Sequence, residues 1–218
     1  MLEIEQGRHP TIDIADFIPN DTELSDKKCL LLTGPNMGGK STTIRQVGLL
    51  SLLAHYGCAV PAESMRLSVI DRIFTRLGAS DRLLKGESTF MVEMTETAAI
   101  LNSGTQQSLM LLDELGRGTS TSDGQAIAGA VLEEISQRKV RAIFSTHYHK
   151  LARGGLPEGC RSMHMACHVT NENGQENVTF LYTLTDGAAE KSHGFNAARL
   201  AAIPETVVKV KSIVLYSV

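Results

Sequence analysis

Residues 30–41 read LLLTGPNMGGKS, and this stretch limits the possible folds more than any other. It holds the pattern G-x-x-x-x-G-K-[ST]: Gly34, then Pro35, Asn36, Met37 and Gly38, then Gly39, Lys40 and Ser41. An apolar run, Cys29–Leu32, precedes the glycines, and a pattern of helical period follows. Strand, glycine-rich turn and helix N-terminus, in that order, form the context a phosphate-binding loop needs. Successive backbone N–H groups can then surround a phosphate, helped by the positive end of the helix dipole. In such a loop Lys40 reaches the β- and γ-phosphates, and the Ser41 hydroxyl binds Mg²⁺. The alternative, a chance turn in a glycine-bearing loop, has to account for every fixed position of the motif in the right context.

The flanking segments support an α/β chain. Cys29–Leu32 has no polar interruption, as in a strand buried on both faces of a parallel sheet. The next helix is expected from Lys40 to about Tyr56, with Ile44, Val47, Leu50/Ser51 and Ala54 at helical spacing and Gly57 as its stop. Nearer the start, Leu2–Glu5 alternates like an edge strand ending at Gly7. Thr11–Ile18 alternates as well, closed by a Pro19-Asn20-Asp21 turn. Cys58–Val60 and Arg72–Leu77 read as further strands. A polar segment, Gly78–Ser88, leads to a helix over Thr89–Leu101 with Met91, Met94/Thr95, Ala98 and Leu101 on one face. Strands and helices alternating at these lengths predict an α/β fold with a mainly parallel sheet.

The second informative stretch is Ser108–Glu114, SLMLLDE. Four apolar residues ending in a carboxylate suit a central strand that presents Asp113 at its C-terminal edge. There Asp113 can hold Mg²⁺ beside Ser41. Glu114 is placed to accept a proton from an attacking water. Acidic turns after apolar strands are common, so this reading depends on the phosphate loop upstream. Arg141–Ser145 gives another buried strand, and His147 just beyond it falls at the same sheet edge, where it could contact the γ-phosphate.

Other features narrow the function. A net charge of −3 argues against holding nucleic acid by general electrostatic attraction. Apolar and charged fractions of 42% and 21% are ordinary for a globular protein. The scattered Cys29, Cys58, Cys160 and Cys167 read as free thiols of a reducing compartment. Met1–Gln6 lacks the apolar core of a signal peptide, and the run Val47–Ala54 is too short to span a bilayer. Cys160, His164, Cys167 and His168 are possible zinc ligands. However, Met163, Met165, Cys167 and Val169 alternate like a strand, which sends Cys167 and His168 to opposite faces.

The segments GPNMGGKST, ESTFMVEMTETAAIL, LLDELGRGTSTSDG and FSTHYHKL together resemble the ATPase domain of MutS proteins, the DNA mismatch-recognition ATPases. FIPND, VPAE, FTRLGASD, STHYH and HMAC are most similar to its eukaryotic sixth-homologue branch. The resemblance covers about Leu2 to about Val207. It implies a P-loop NTPase of the ABC type over residues 1–195, with the start of a helix-turn-helix dimerisation element over 196–218. It also implies ATP and Mg²⁺ as ligands, a second MutS-homologue subunit as partner, and a nuclear location. Contact with mismatched duplex DNA would come through domains absent from this chain.

Residue by residue, the resemblance makes Gly34–Ser41 and Thr42 the nucleotide loop, with Asn36 near the γ-phosphate. Asp113 and Ser41 hold the metal, Glu114 activates water, and His147 is the switch histidine. Ser88 matches the signature serine that reaches the partner subunit's ATP; read alone, it is an N-cap paired with Met91. Phe17, Ile18 and Tyr182 fall where the family stacks groups on adenine; read alone, each fits a core equally well.

Several departures stand out. His193 replaces a usual tyrosine, and Ser122 replaces an aromatic residue before Asp123. The family's mismatch-reading Phe-x-Glu pair and its long N-terminal regions are absent, and Pro204–Lys211 begins a helix that gives way to the apolar Ile213–Tyr216. A fragment or truncated product is therefore expected. The competing functional class is a non-hydrolysing, ATP-gated dimerisation module. An intact Lys40, Ser41, Asp113, Glu114 and His147 favour hydrolysis. An ABC transporter subunit is disfavoured because no L-S-G-G-Q stretch occurs.

Overall fold

The computed structural model describes residues 1–78, 88–172, 175–189, 191–204 and 206–207. Five strands, β3 (Cys29–Thr33), β5 (Ile73–Arg76), β6 (Leu109–Asp113), β7 (Arg141–Ser145) and β8 (Cys160–Glu172), run parallel in one sheet. A sixth, β9 (Gln175–Asp186), pairs antiparallel with β8 and completes the order β5-β6-β7-β3-β8-β9. A smaller antiparallel sheet has the order β2-β1-β4, formed by β1 (Leu2–Gly7), β2 (Asn20–Glu23) and β4 (Ser64–Leu67).

The uninterrupted apolar strands are explained by what covers them. Every residue of β3, β6 and β7 is buried. Leu30 and Leu32 of β3 join Leu109, Leu111 and Ile143 on one face. There they meet Ile44, Val47 and Leu50 of α1 (Lys40–His55) and Leu2 and Ile4 of the small sheet. Cys29 and Leu31 join Met110, Leu112, Ala142 and Phe144 on the opposite face, under Ala128, Val131, Leu132 and Ile135 of α3 (Thr121–Gln137). Successive strand residues thus feed two separate cores, so neither parity of position can be polar. The expected mainly parallel α/β sheet is what forms.

α1 follows the expected spacing and stops at Tyr56, where Gly57 takes φ 73°. Several other expectations need correcting. β1 is the middle strand of its sheet, not an edge. Thr11–Ile18 is irregular, with Ile14 and Ile18 exposed, and the strand lies instead at Asn20–Glu23, where the turn was expected. Arg8 explains this. Its guanidinium donates to the carbonyls of Phe17 (3.1 Å) and Ile14 (3.3 Å) and lies 5.1 Å from the centre of the Phe17 ring. The segment is folded onto a side chain and has no strand partner. Cys58–Val60 forms no strand, and β4 follows it instead.

α2 (Thr89–Ser103) buries Val92, Glu93, Thr97 and Ile100, whereas the expected Met91 is 57% exposed. Of the expected stripe, Met94 and Leu101 do pack against the core, while Met91, Thr95 and Ala98 are exposed, because the inward face is rotated to include a glutamate and a threonine. Met163, Met165, Cys167 and Val169 do lie on a strand, β8, but only the two methionines are buried; after the register shift that follows Met165, Cys167 is half-buried and Val169 is exposed. α4 (His149–Arg153) and α5 (Gly194–Leu200) are short. The reading of the C-terminal apolar tail lies outside the described residues, as does most of the Pro204–Lys211 helix. Among the described residues, no helix is long and apolar enough to cross a membrane.

Candidate functional site

The C-terminal ends of β3, β6 and β7 share one edge, because these strands are parallel and adjacent. Side chains from chain positions far apart therefore meet there, outside the carboxyl ends of the strands. The glycine-rich loop leaves β3 and enters α1 through Gly39, which takes the left-handed φ of 99° at the N-cap. A side chain is strained in that conformation, and glycine is not. With no side-chain cap present, the first N–H groups of a 16-residue helix are directed into the loop.

Lys40 is only 5% exposed, and its ammonium donates to the carbonyls of Gly34 (3.0 Å) and Pro35 (3.1 Å). Burial lowers its pKa, while the negative charges of Glu114 and Asp113 act the other way. The Ser41 hydroxyl donates to Asp113 Oδ2 at 2.6 Å, tying the helix start to the end of β6. The other oxygen, Oδ1, accepts from the Ser145 hydroxyl of the neighbouring strand. A buried carboxylate beside a hydroxyl offers the hard oxygen donors that Mg²⁺ prefers. The residues present therefore fit that ion.

Glu114 has φ 58°, and its N–H donates to the Ser145 carbonyl at 3.1 Å. This backbone turn sends its side chain toward His147 and Arg117. His147 Nε2 bonds to Oε1, and Arg117 Nη1 donates to Oε2. The His147 hydrogen bond is the main reason the Glu114 carboxyl is held below the usual carboxylate range, with Arg117 and Lys40 adding to it against partial burial. Each carboxylate oxygen keeps a further lone pair, so a water can still be bound there.

A cavity of about 720 Å³ opens beside the loop. It is lined by Pro35, Asn36, Met37, Gly39, Lys40, Ser41 and Thr42 from the loop, by Phe17, Ile18 and Tyr182 from elsewhere, and by Glu114. The three apolar or aromatic candidates and the loop thus share one wall-to-wall space. Asn20 holds two of its walls together: its amide donates to the Tyr182 carbonyl (2.8 Å), and its Oδ1 accepts from Leu184 N–H (2.6 Å). Gly34 and Gly38 form the buried floor of the turn. Ser88 is not among the lining residues. It caps α2, accepting from Met91 N–H at 3.1 Å.

His193 takes φ 49° ahead of α5, and the Ser122 hydroxyl lies 3.0 Å from that of Ser120. Neither lines the cavity. Sequence reasoning overlooked Arg117, Ser145 and Asn20. Ser145 had a usable signal, since it ends a buried strand in register with Asp113. Asn20 had none, because the β9 groups it bonds, on Tyr182 and Leu184, lie more than 160 residues away.

Comparison with known proteins agrees with this architecture. Residues 30–217 match the family described as MutS domain V. The chain is 53% identical to the DNA mismatch repair protein Msh6 of Gallus gallus, over 95% of this chain and 17% of that protein. Human Msh6 gives the same figures. The DNA mismatch repair protein MutS of Desulfovibrio desulfuricans is 49% identical over 95% of this chain and 23% of its own length. The residues that build the large sheet and its carboxyl edge thus lie within a MutS domain V match. The chain belongs to the MutS family, as its C-terminal domain, and it spans about a sixth of the Msh6 proteins it matches.

Proposed function

We propose that this chain is an ATP-binding and ATP-hydrolysing domain of the P-loop, ABC type, the motor of a DNA mismatch-recognition protein. The observation that carries the reading is the 2.6 Å hydrogen bond between Ser41 and Asp113 beside a buried Lys40. It joins a phosphate-type loop to an acidic strand end, with Glu114 next in the chain. The Gly34–Thr42 loop binds the triphosphate, its N–H groups and Lys40 meeting the negative charge. Phe17, Ile18 and Tyr182 hold the adenine in the apolar part of the cavity. Ser41 and Asp113 hold Mg²⁺, which when bound neutralises phosphate charge.

Glu114 orients water for in-line attack on the γ-phosphorus and accepts its proton, with ADP as the leaving group. His147 fixes the carboxylate and senses the γ-phosphate. Ser88 serves the ATP of a second MutS-homologue subunit. In this reading, residues 1–195 are the ATPase domain and 196–218 begin a dimerisation element. Mismatched duplex DNA is reached through other parts of the full protein, in the nucleus.

Glu114→Gln tests the reading. It keeps the side-chain size and removes the base, so ATP should still bind while single-turnover hydrolysis falls by about 10²-fold or more. The measurement is made with and without a MutS-homologue partner. An unchanged rate would remove Glu114 from the chemistry and favour the non-hydrolysing dimerisation module.

A further inference from the structure

Outside the loop cavity, a buried charge cluster sits behind the turn that carries Glu114. Arg76, at the end of β5, is 7% exposed and Glu93 of α2 is 4% exposed. Arg76 Nη2 lies 3.8 Å from Glu93 Oε1, and its Nε lies 3.2 Å from Glu96 Oε2. Glu93 Oε1 also accepts a 3.0 Å hydrogen bond from the Gly116 N–H. A carboxylate this deeply buried is costly unless it is both paired and hydrogen-bonded, and here it is both.

The Gly116 peptide is gripped from two sides. Its N–H is held by Glu93, and its carbonyl accepts from the Tyr148 hydroxyl at 2.7 Å. Gly116 lies two residues after Glu114 and one before Arg117, which pairs with Glu114. Tyr148 directly follows His147, the other partner of that carboxylate. The same α2 that supplies Glu93 begins at the Ser88 cap.

We infer that Glu93 is a positioning residue: by holding the Gly116 N–H it sets the Glu114–Arg117 turn, and so links the seat of α2 to the aim of the Glu114 carboxylate. The inference rests on the reading of Glu114 as the hydrolytic base. Glu93 does not line the loop cavity; it lines a second cavity, of about 410 Å³, with Asp113, Glu114 and Arg117 and with no residue of the glycine-rich loop, so the effect expected of it falls on hydrolysis more than on nucleotide affinity.

Two substitutions separate the hydrogen bond from the ion pair. Glu93→Asp keeps the charge for Arg76 but withdraws the carboxylate from Gly116. Glu93→Gln keeps the reach and an oxygen acceptor but loses the charge, while Arg76 retains Glu96. If Glu93 positions the turn, Glu93→Asp lowers single-turnover hydrolysis about 10–10²-fold, the cost of a misplacement near 1 Å. Glu93→Gln then recovers most of the rate, and ATP affinity measured by calorimetry is unchanged in both. Amide exchange at Gly116 speeds up in Glu93→Asp only, and adding Glu93→Asp to Glu114→Gln lowers the rate no further.

A merely structural ion pair predicts the reverse order, with Glu93→Gln the more damaged variant and additive losses. Either of those results overturns the inference. If wild type and Glu114→Gln hydrolyse equally, the base reading fails by itself. Gly116 exchange then still decides: unchanged protection in Glu93→Asp overturns the tether, and selective loss of protection supports it.

Discussion

Gly116→Ala is the sharpest stability test of the turn that carries the site. Gly116 has φ 91°, and a Cβ there would lie 2.6 Å from the Gly124 carbonyl oxygen and 2.9 Å from its Cα. Both are backbone atoms at the start of α3, so no side chain can swing aside. The left-handed backbone alone costs an alanine about 1–2 kcal/mol. Forcing the crossed chains apart adds about 1–3 kcal/mol, typical of overpacking. The sum is about 2–5 kcal/mol, against a total stability of about 5–15 kcal/mol for a domain.

Gly155→Ala supplies the control, because Gly155 has φ 98° with no atom within 4 Å of its Cβ position. It bears the backbone cost only. In urea, with a slope of about 2 kcal/mol per molar, Gly116→Ala should melt about 0.5–1.5 M below Gly155→Ala. Equal midpoints for the two variants would refute the close crossing of Gly116 and Gly124. Gly116→Ala that folds at low temperature should also lose ATP hydrolysis more than ATP binding, since the clash moves the Glu114 turn and not the loop.

Three further outcomes are expected. Lys40→Ala should weaken Mg²⁺-ATP binding about 10–10²-fold by calorimetry, the worth of charge-assisted hydrogen bonds, and unchanged affinity would sink the loop assignment. Glu114 has a depressed folded pKa, so the fold favours its ionised form and binds fewer protons than the unfolded chain. The stability margin of wild type over Glu114→Gln should therefore be whole above about pH 5 and shrink as pH falls through the folded pKa; a margin that grows on acidification in urea melts would contradict the His147 bond. Mixing Ser88→Ala subunits with Lys40→Ala subunits places both lesions on one composite site, so activity should recover through the other. Full activity of dilute monomer would refute completion in trans.

The sequence by itself determined the elements whose residues carry their own reason for being where they are. The runs Cys29–Leu32, Leu109–Leu112 and Ala142–Phe144 are apolar at both parities because both sheet faces are covered, and that is visible without knowing what covers them. The glycines of the loop, Lys40, Ser41 and the Asp113-Glu114 pair stood out because the proposed phosphate and Mg²⁺ chemistry demands those residue types at short, fixed spacing, and the structure brings them to one sheet edge. Patterns whose cause lies elsewhere in the chain misled. The alternation of Thr11–Ile18 has the period of a strand, yet Arg8 draws its carbonyls away from any ladder.

The buried face of α2 could not be read from hydrophobicity, because Glu93 is turned inward by Arg76 and the Gly116 N–H. Tertiary structure alone decided that Asn20 would bolt Tyr182 to the cavity wall, and that Arg117 and His147 would share the two oxygens of Glu114. These bonds join residues whose identities are permissive locally and become necessary only when a buried polar atom needs a partner. The need arises from desolvation, which a chain acquires on folding and which no local pattern of residues records.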